Sequence, residues 1–211
     1  MKRKLSVKQI VLIGLLGSMA GLLMFVTFPL PFMPPFMSFD LATIPELIGG
    51  FILGPVSAVF IIIIKLIIKI AFLGTNSIFV GELQNFILSC AMVLPASIIY
   101  KRNKTRKNAL IGMIVGTITL IITAILSNLY LIIPFYAHLY GYTMADVIAM
   151  TKVVNPFIDN PVSLVILGIL PFNLFKGIVV SSITLLTYKR ISVLFKIDYV
   201  PTSKKTLDYE L

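Results

Sequence analysis

The sequence is poor in the residues that metal sites and most catalytic sites need. Its 211 residues include one cysteine, Cys90, and one histidine, which excludes an internal disulfide and leaves no conventional tetrahedral metal set. Only 12% of the residues are charged, against roughly 25% in a soluble domain. There is no Walker phosphate loop, no His-Glu-x-x-His pair, no Gly-x-Ser-x-Gly elbow and no double-aspartate cluster. The chain therefore has no ATP-hydrolysing machinery of its own and no recognisable catalytic constellation. The expectation is a protein that is not an enzyme and holds neither metal nor cofactor.

What the chain does have is apolar length. Hydrophobic residues make up 58% of it and the mean hydropathy is +1.03, the composition of an integral membrane protein. The net charge of +10 could suggest nucleic acid, but the 18 basic residues are placed otherwise. They cluster at Lys2, Arg3, Lys4 and Lys8, at Lys101, Arg102, Lys104, Arg106 and Lys107, and at Lys189, Arg190, Lys196, Lys204 and Lys205. That is the pattern of cytoplasmic segments of a membrane protein. The N-terminal basic start and apolar run resemble a signal peptide, yet the run passes into Pro29 without an obvious small-residue cleavage site and reads as a retained first span.

Residues 44–73 are ambiguous by hydropathy, as one long helix or two short ones, and charge decides between them. One helix puts the 101–107 cluster on the opposite side from the first cluster; a break at Gly54-Pro55 puts all three on the same side. Proline also opens a helix well and interrupts one badly. The expected spans are 8–28, 43–54, 55–73, 79–100, 106–134 and 161–189, six in all, with both termini cytoplasmic. The second, at about 18 Å, is too short to cross a core of roughly 30 Å unaided. The external segments 29–42, 74–78 and 135–160 then hold a single basic residue, Lys152. With no internal repeat and no long linker, residues 1–211 read as a single all-α membrane domain.

Against this apolar background, intramembrane polar residues are functional candidates. Lys176 lies on the order of 20 Å from either end of the last span, too deep to snorkel. Asn173 projects from the same face one turn earlier, and Pro171 frees the carbonyl of Leu167 as a further acceptor. Asp40, Thr43 and Glu46 cluster where the first loop meets span two, Glu82 and Asn85 open span four, and Asn128 and Tyr136 lie near the outer end of span five. Lys65 and Lys69, a turn apart in span three, read equally well as members of ion pairs that hold the bundle together, as do Glu46 and Glu82. The first loop carries four prolines and four phenylalanines between Phe28 and Phe39, either a stiff aromatic flap suited to a planar ligand or a loop packed on the bundle. Span one carries the small residues Gly14, Gly17, Ser18 and Gly21, which let another helix approach closely, inside the chain or from a partner.

In order along the chain, Phe28-Pro-Leu-Pro-Phe with Phe39-Asp40 and Ile44-Pro45, Gly54-Pro55, Gly81-Glu82-Leu83-Gln84-Asn85-Phe86, Asn128-Leu129-Tyr130 with Pro134-Phe135-Tyr136, and Pro171-Phe172-Asn173-Leu174-Phe175-Lys176-Gly177 are fairly specific. Over nearly all of residues 8–192 the chain resembles the substrate-binding S component of an energy-coupling factor vitamin transporter, of the riboflavin-binding type. The resemblance implies a six-helix protein of a bacterial cell membrane that captures riboflavin at its external face. It implies docking, through small residues on the first helix, on a transmembrane coupling subunit driven by two cytoplasmic ATPases, with release by toppling and the first loop as gate. Family members use alanines four residues apart for docking, where this chain has Gly14, Gly17, Ser18 and Gly21.

The chemistry suits a flavin carried as cargo. The pyrimidine edge of isoalloxazine alternates acceptor, donor and acceptor, which Asn173 and Lys176 can match. Asp40, Thr43, Glu46, Glu82 and Asn128 are candidates for the ribityl hydroxyls, and Leu41, Asn85 and Tyr136 complete the expected ligand-binding set. FMN, whose phosphate Lys176 could answer, and thiamine are the rival ligands. A membrane enzyme or a purely structural protein is the rival class.

Overall fold

The computed structural model describes residues 5–34, 37–75, 78–141 and 143–194, less the side chains of Tyr136, Ala137, Tyr140 and residues 190–194. Lys2, Arg3, Lys4, Lys196, Lys204 and Lys205 therefore lie outside the described residues. Helix α1 (Val7–Leu23) opens with a capping box in which Ser6 and Gln9 satisfy each other's backbone N–H. It ends earlier than the sequence suggests, because the chain turns into a two-residue antiparallel pairing, β1 (Phe28–Pro29) with β2 (Ser38–Phe39).

Helices α2 (Thr43–Leu53) and α3 (Pro55–Leu73) are separate. The break falls where expected: Gly54 takes φ 98°, which a side chain would resist, and Pro55 stands in the first turn of α3. Helix α4 (Val80–Arg102) and helix α5 (Arg106–Ser127) follow. Helix α5 continues through a π turn, Asn128–Ile132, into α6 (Ile133–Tyr140). Segment 135–160, expected only as an external connection, contains a further helix, α7 (Met144–Val154), started by a Thr143–Asp146 capping box. The last span is composite: α8 (Pro161–Leu164), a second π turn, Val165–Ile169, and α9 (Leu170–Leu194).

Each π turn ends two residues before a proline, Pro134 or Pro171. A proline ring occupies the space of the carbonyl four residues earlier and cannot donate, and widening the preceding turn accommodates it. Ile133 and Leu170 accordingly donate five residues back, to the carbonyls of Asn128 and Val165.

Four apolar segments are long enough to cross a membrane, Pro55–Leu73, Val80–Arg102, Arg106–Phe135 and Pro161–Lys189; Val7–Leu23 and Thr43–Leu53 are shorter apolar helices. The short α2 is the centre of the bundle, in contact with α1, α3, α4 and α9, and Leu47, Gly50 and Phe51 are among its buried residues. The ring contacts Phe51–Tyr100, Phe51–Tyr188 and Tyr100–Tyr188, at 4.6, 5.6 and 5.9 Å, bring the C-terminal ends of α2, α4 and α9 together. The basic residues that follow α4 and those near the end of α9 therefore share one end of the bundle.

Close packing uses glycine at several helix contacts, two of them pairs at four-residue spacing. On α1, a Cβ at Gly17 or Gly21 would collide with Ile64 or Ile68 of α3, whereas Gly14 has nothing within 4 Å and Ser18 is exposed. Half of the expected docking stripe is thus covered inside the chain. The second pair, Gly112 and Gly116 on α5, went unremarked in the sequence although its spacing is the small-xxx-small signature. Here α5 lies against the backbone of α4 at the carbonyls of Ala96 and Met92. Backbone cannot yield as a side-chain tip can, so Gly116→Ala is expected to cost about 1–3 kcal/mol. A lowered melting temperature in detergent would register it.

Candidate functional site

At the end of the bundle away from the aromatic trio, α1, α3, α4, α5, α9 and the first loop surround a cavity of about 510 Å³. This lies within the roughly 300–1,000 Å³ of small-molecule sites. Its lining combines polar side chains, among them Asp40, Lys69, Glu82, Asn85, Asn173 and Lys176, with apolar ones, among them Met24, Met37, Leu88, Met92, Leu120 and Phe172.

The polar part of the lining is built from ion pairs. Lys176 Nζ donates to Asp40 Oδ2 at 2.8 Å, joining α9 to the loop ahead of α2. Because α2 is only 11 residues long, about 16 Å at 1.5 Å per residue, that loop reaches well down into the bundle, where it can meet a mid-helix lysine. The Ala42 N–H donates to the other Asp40 oxygen at 2.9 Å. Burial pushes the Asp40 carboxyl up, but Lys176, Lys65 and these hydrogen bonds outweigh it and hold it below the ordinary 3.8. A depressed folded value means that the stabilisation is complete above 3.8 and is lost as pH falls through the folded value. Wild type should therefore out-melt Asp40→Asn by a constant margin at neutral pH, and thermal melts in acid should show that margin shrinking below about 3.8.

A second pair, Lys69 with Glu82, joins the last turns of α3 to the first turn of α4. Lys69 also donates to the Gly74 carbonyl at 3.0 Å, and Thr75 Oγ1 donates to Glu82 at 3.0 Å. The third pair lies behind the wall. Lys65 and Glu46, 1% and 0% exposed, are in contact, and Lys65 also donates to Asn85 Oδ1 at 2.6 Å and Ser89 Oγ at 2.9 Å. With its oxygen engaged, Asn85 has its amide N–H groups left for the cavity.

The two deep asparagines each bond to the carbonyl four residues earlier. Asn128 Nδ2 donates to the Ala124 carbonyl at 2.7 Å, and Asn173 Nδ2 to the Ile169 carbonyl at 2.8 Å. The acceptor for Asn173 is thus the last residue of the π turn. Each asparagine keeps its Oδ1 and one N–H for a ligand.

Of the expected ligand-binding residues, Asp40, Thr43, Glu82, Asn85, Asn128, Asn173 and Lys176 border this one cavity. Glu46 does not; its carboxylate is buried against Lys65. Leu41 packs into the apolar cluster of Phe39 and Phe172, and the Tyr136 side chain lies outside the described residues. In the first loop Phe39 is packed, 3% exposed with its ring 5.1 Å from Phe28 and 5.6 Å from Phe175, while Phe28 and Phe32 are exposed; among the described residues, Phe172 is the aromatic side chain of the lining. Sequence reasoning missed Lys69, Gln84, Leu88, Ser89 and Met92 as lining residues. Continuing the helical period of α4 on from Gly81 and Asn85 would have found the last three.

The site can hold a ligand with a polar, hydrogen-bonding edge and an apolar body. Comparison with known proteins agrees with that chemistry. The family of ECF transporter substrate-specific components matches residues 8–188. The riboflavin transporter RibU of Staphylococcus aureus is 30% identical over 198 residues, 92% of this chain and 97% of that protein. The riboflavin transporter FmnP of Bacillus subtilis is 30% identical, over 84% of this chain and 88% of that protein. A solved structure of the S component of a bacterial ECF transporter superposes with a TM-score of 0.68 at 30% identity, covering 90% of this chain and 98% of that one. With one family matched from the first helix to the last and the same fold in a solved member, the chain belongs to the substrate-specific components of the ECF transporters.

Proposed function

We propose that the chain is a riboflavin-capturing S component, a multi-pass protein of the bacterial plasma membrane that presents its cavity to the outside. The observation that carries this reading is a cavity lined by both polar and apolar side chains, sized for a small molecule, in a chain whose relatives are named riboflavin transporters. Asn173 and Lys176 would hold the pyrimidine edge, with Asp40 fixing the lysine. Glu82, Asn85, Thr43 and Asn128 would serve the ribityl hydroxyls. Met92, Leu120 and Phe172 would receive the apolar part of the ring.

In this reading residues 1–211 form a single membrane domain that crosses six times, α7 being an external addition between the last two crossings. The end carrying the basic clusters is cytoplasmic, as are both termini. The chain would dock on a coupling subunit driven by two ATPases, using the outward part of α1 around Gly14 and Ser18, where Val11, Leu15 and Leu22 are exposed. Purified protein is expected to carry a yellow ligand absorbing in the flavin bands, or, once stripped, to quench added riboflavin fluorescence saturably. Colourless protein that leaves riboflavin fluorescence unchanged would end this reading.

A further inference from the structure

We propose that Glu82 is the residue by which this site tells an uncharged flavin from its 5′-phosphate. The inference rests on the riboflavin reading above and concerns what the same cavity excludes. Among the described residues, the charged side chains bordering the cavity are Asp40, Glu82, Lys69 and Lys176, and each cation is already paired, Lys176 with Asp40 and Lys69 with Glu82. Lys65 behind the wall is likewise paired with Glu46. The charges cancel, so a neutral ligand enters without an electrostatic penalty and none of these lysines is left over for an anion.

The two bordering pairs lie at different depths. Lys176 is well inside α9, whereas Lys69 is one turn from the end of α3 and Glu82 is in the first turn of α4, tied to the connecting segment through Gly74 and Thr75. A ring held at Asn173 and Lys176 directs its ribityl tail towards this outer pair. A terminal phosphate there, at about −1.5 to −2 charge, would meet a lysine already neutralised and a carboxylate of its own sign in a partly desolvated site. Glu82→Gln keeps the shape of the side chain and an oxygen for Thr75, removes the negative charge, and leaves Lys69 to face the tail.

The test is a fluorescence-quenching titration with riboflavin, with its neutral 5′-acetate and with FMN. Wild type should bind the acetate within about threefold of riboflavin and FMN more weakly by about tenfold or more. In Glu82→Gln the affinity for FMN relative to riboflavin should rise by about tenfold or more, and in Lys69→Met it should fall. If Glu82→Gln does not fold, wild type decides: acetate rejected as strongly as FMN would mean exclusion by bulk and would overturn the proposal, as would FMN bound as tightly as riboflavin. Riboflavin binding with an unchanged ratio in Glu82→Gln overturns this proposal alone. Wild type that binds no flavin overturns the riboflavin reading and this proposal with it.

Discussion

Replacing Lys176 with alanine is expected to weaken riboflavin binding by about tenfold or more, a loss of at least roughly 1.4 kcal/mol. Two effects contribute, and they can be separated. The lysine would donate a charged hydrogen bond to the flavin edge, and it neutralises Asp40, a carboxylate 5% exposed whose partner it is. Removing one member of a buried pair costs about 3–5 kcal/mol, because the other charge is stranded. Lys176→Ala should therefore also melt earlier in detergent. The double variant Lys176→Met with Asp40→Asn strands no charge, so it should regain most of the stability while binding stays weak. If the double variant binds riboflavin like wild type, Lys176 only supports the loop and contributes nothing to the ligand.

The largest stability effect is expected one layer behind the cavity. Lys65 and Glu46 are the most deeply buried charges among the described residues, 1% and 0% exposed, and Glu46 Oε2 has no hydrogen-bond partner. Lys65→Met would leave that carboxylate without a counter-ion between helices α2, α3 and α4, at a cost of about 3–5 kcal/mol. It would also release Asn85 and Ser89, which accept from Lys65, so their orientation on the cavity wall would loosen. Lys65→Met combined with Glu46→Leu replaces the pair with apolar volume and should recover much of the lost melting temperature. A single variant that melts with wild type would show that water, rather than the lysine, is compensating Glu46.

The elements easiest to read from the sequence were those fixed by one-dimensional signals. Gly54-Pro55 marks the break between α2 and α3 because a positive φ and a helix-starting proline are local demands. Deep polar residues such as Asn173 and Lys176 announce themselves because lipid offers them no partner. Which partner they find was not legible. Asp40 lies 136 positions before Lys176, and only the shortness of α2 brings it to that depth. The same holds for Glu46, whose sequence neighbours suggested the cavity while Lys65 draws it behind the wall. The phenylalanines of the first loop were open for a related reason: ring type says that a surface is flat, not which way it faces, and Phe39 is turned towards Phe28 and Phe175 while Phe32 is exposed. Helix α7 carries its capping box at Thr143 and Asp146, but its 11 residues are too few to stand out by hydropathy.

The π turn ahead of α9 has a consequence for how the site is aimed. A π turn contains one residue more than the α-helical turn it replaces, and one residue in an α-helix is about 100° of rotation. The extra residue within Val165–Ile169 therefore sets the angular phase of everything after it, Asn173 and Lys176 together, relative to α8. Drawing that turn into regular α-helix with every residue kept would swing both side chains away from the cavity by about that angle, whereas deleting one residue there would restore a regular helix with their aim preserved. Asn128, the first residue of the other π turn, keeps the phase of α5, and there it is Ile132 and the residues after it that are shifted. A single-residue surplus, tolerated because a proline follows, does for Asn173 and Lys176 the aiming that the side chains themselves cannot.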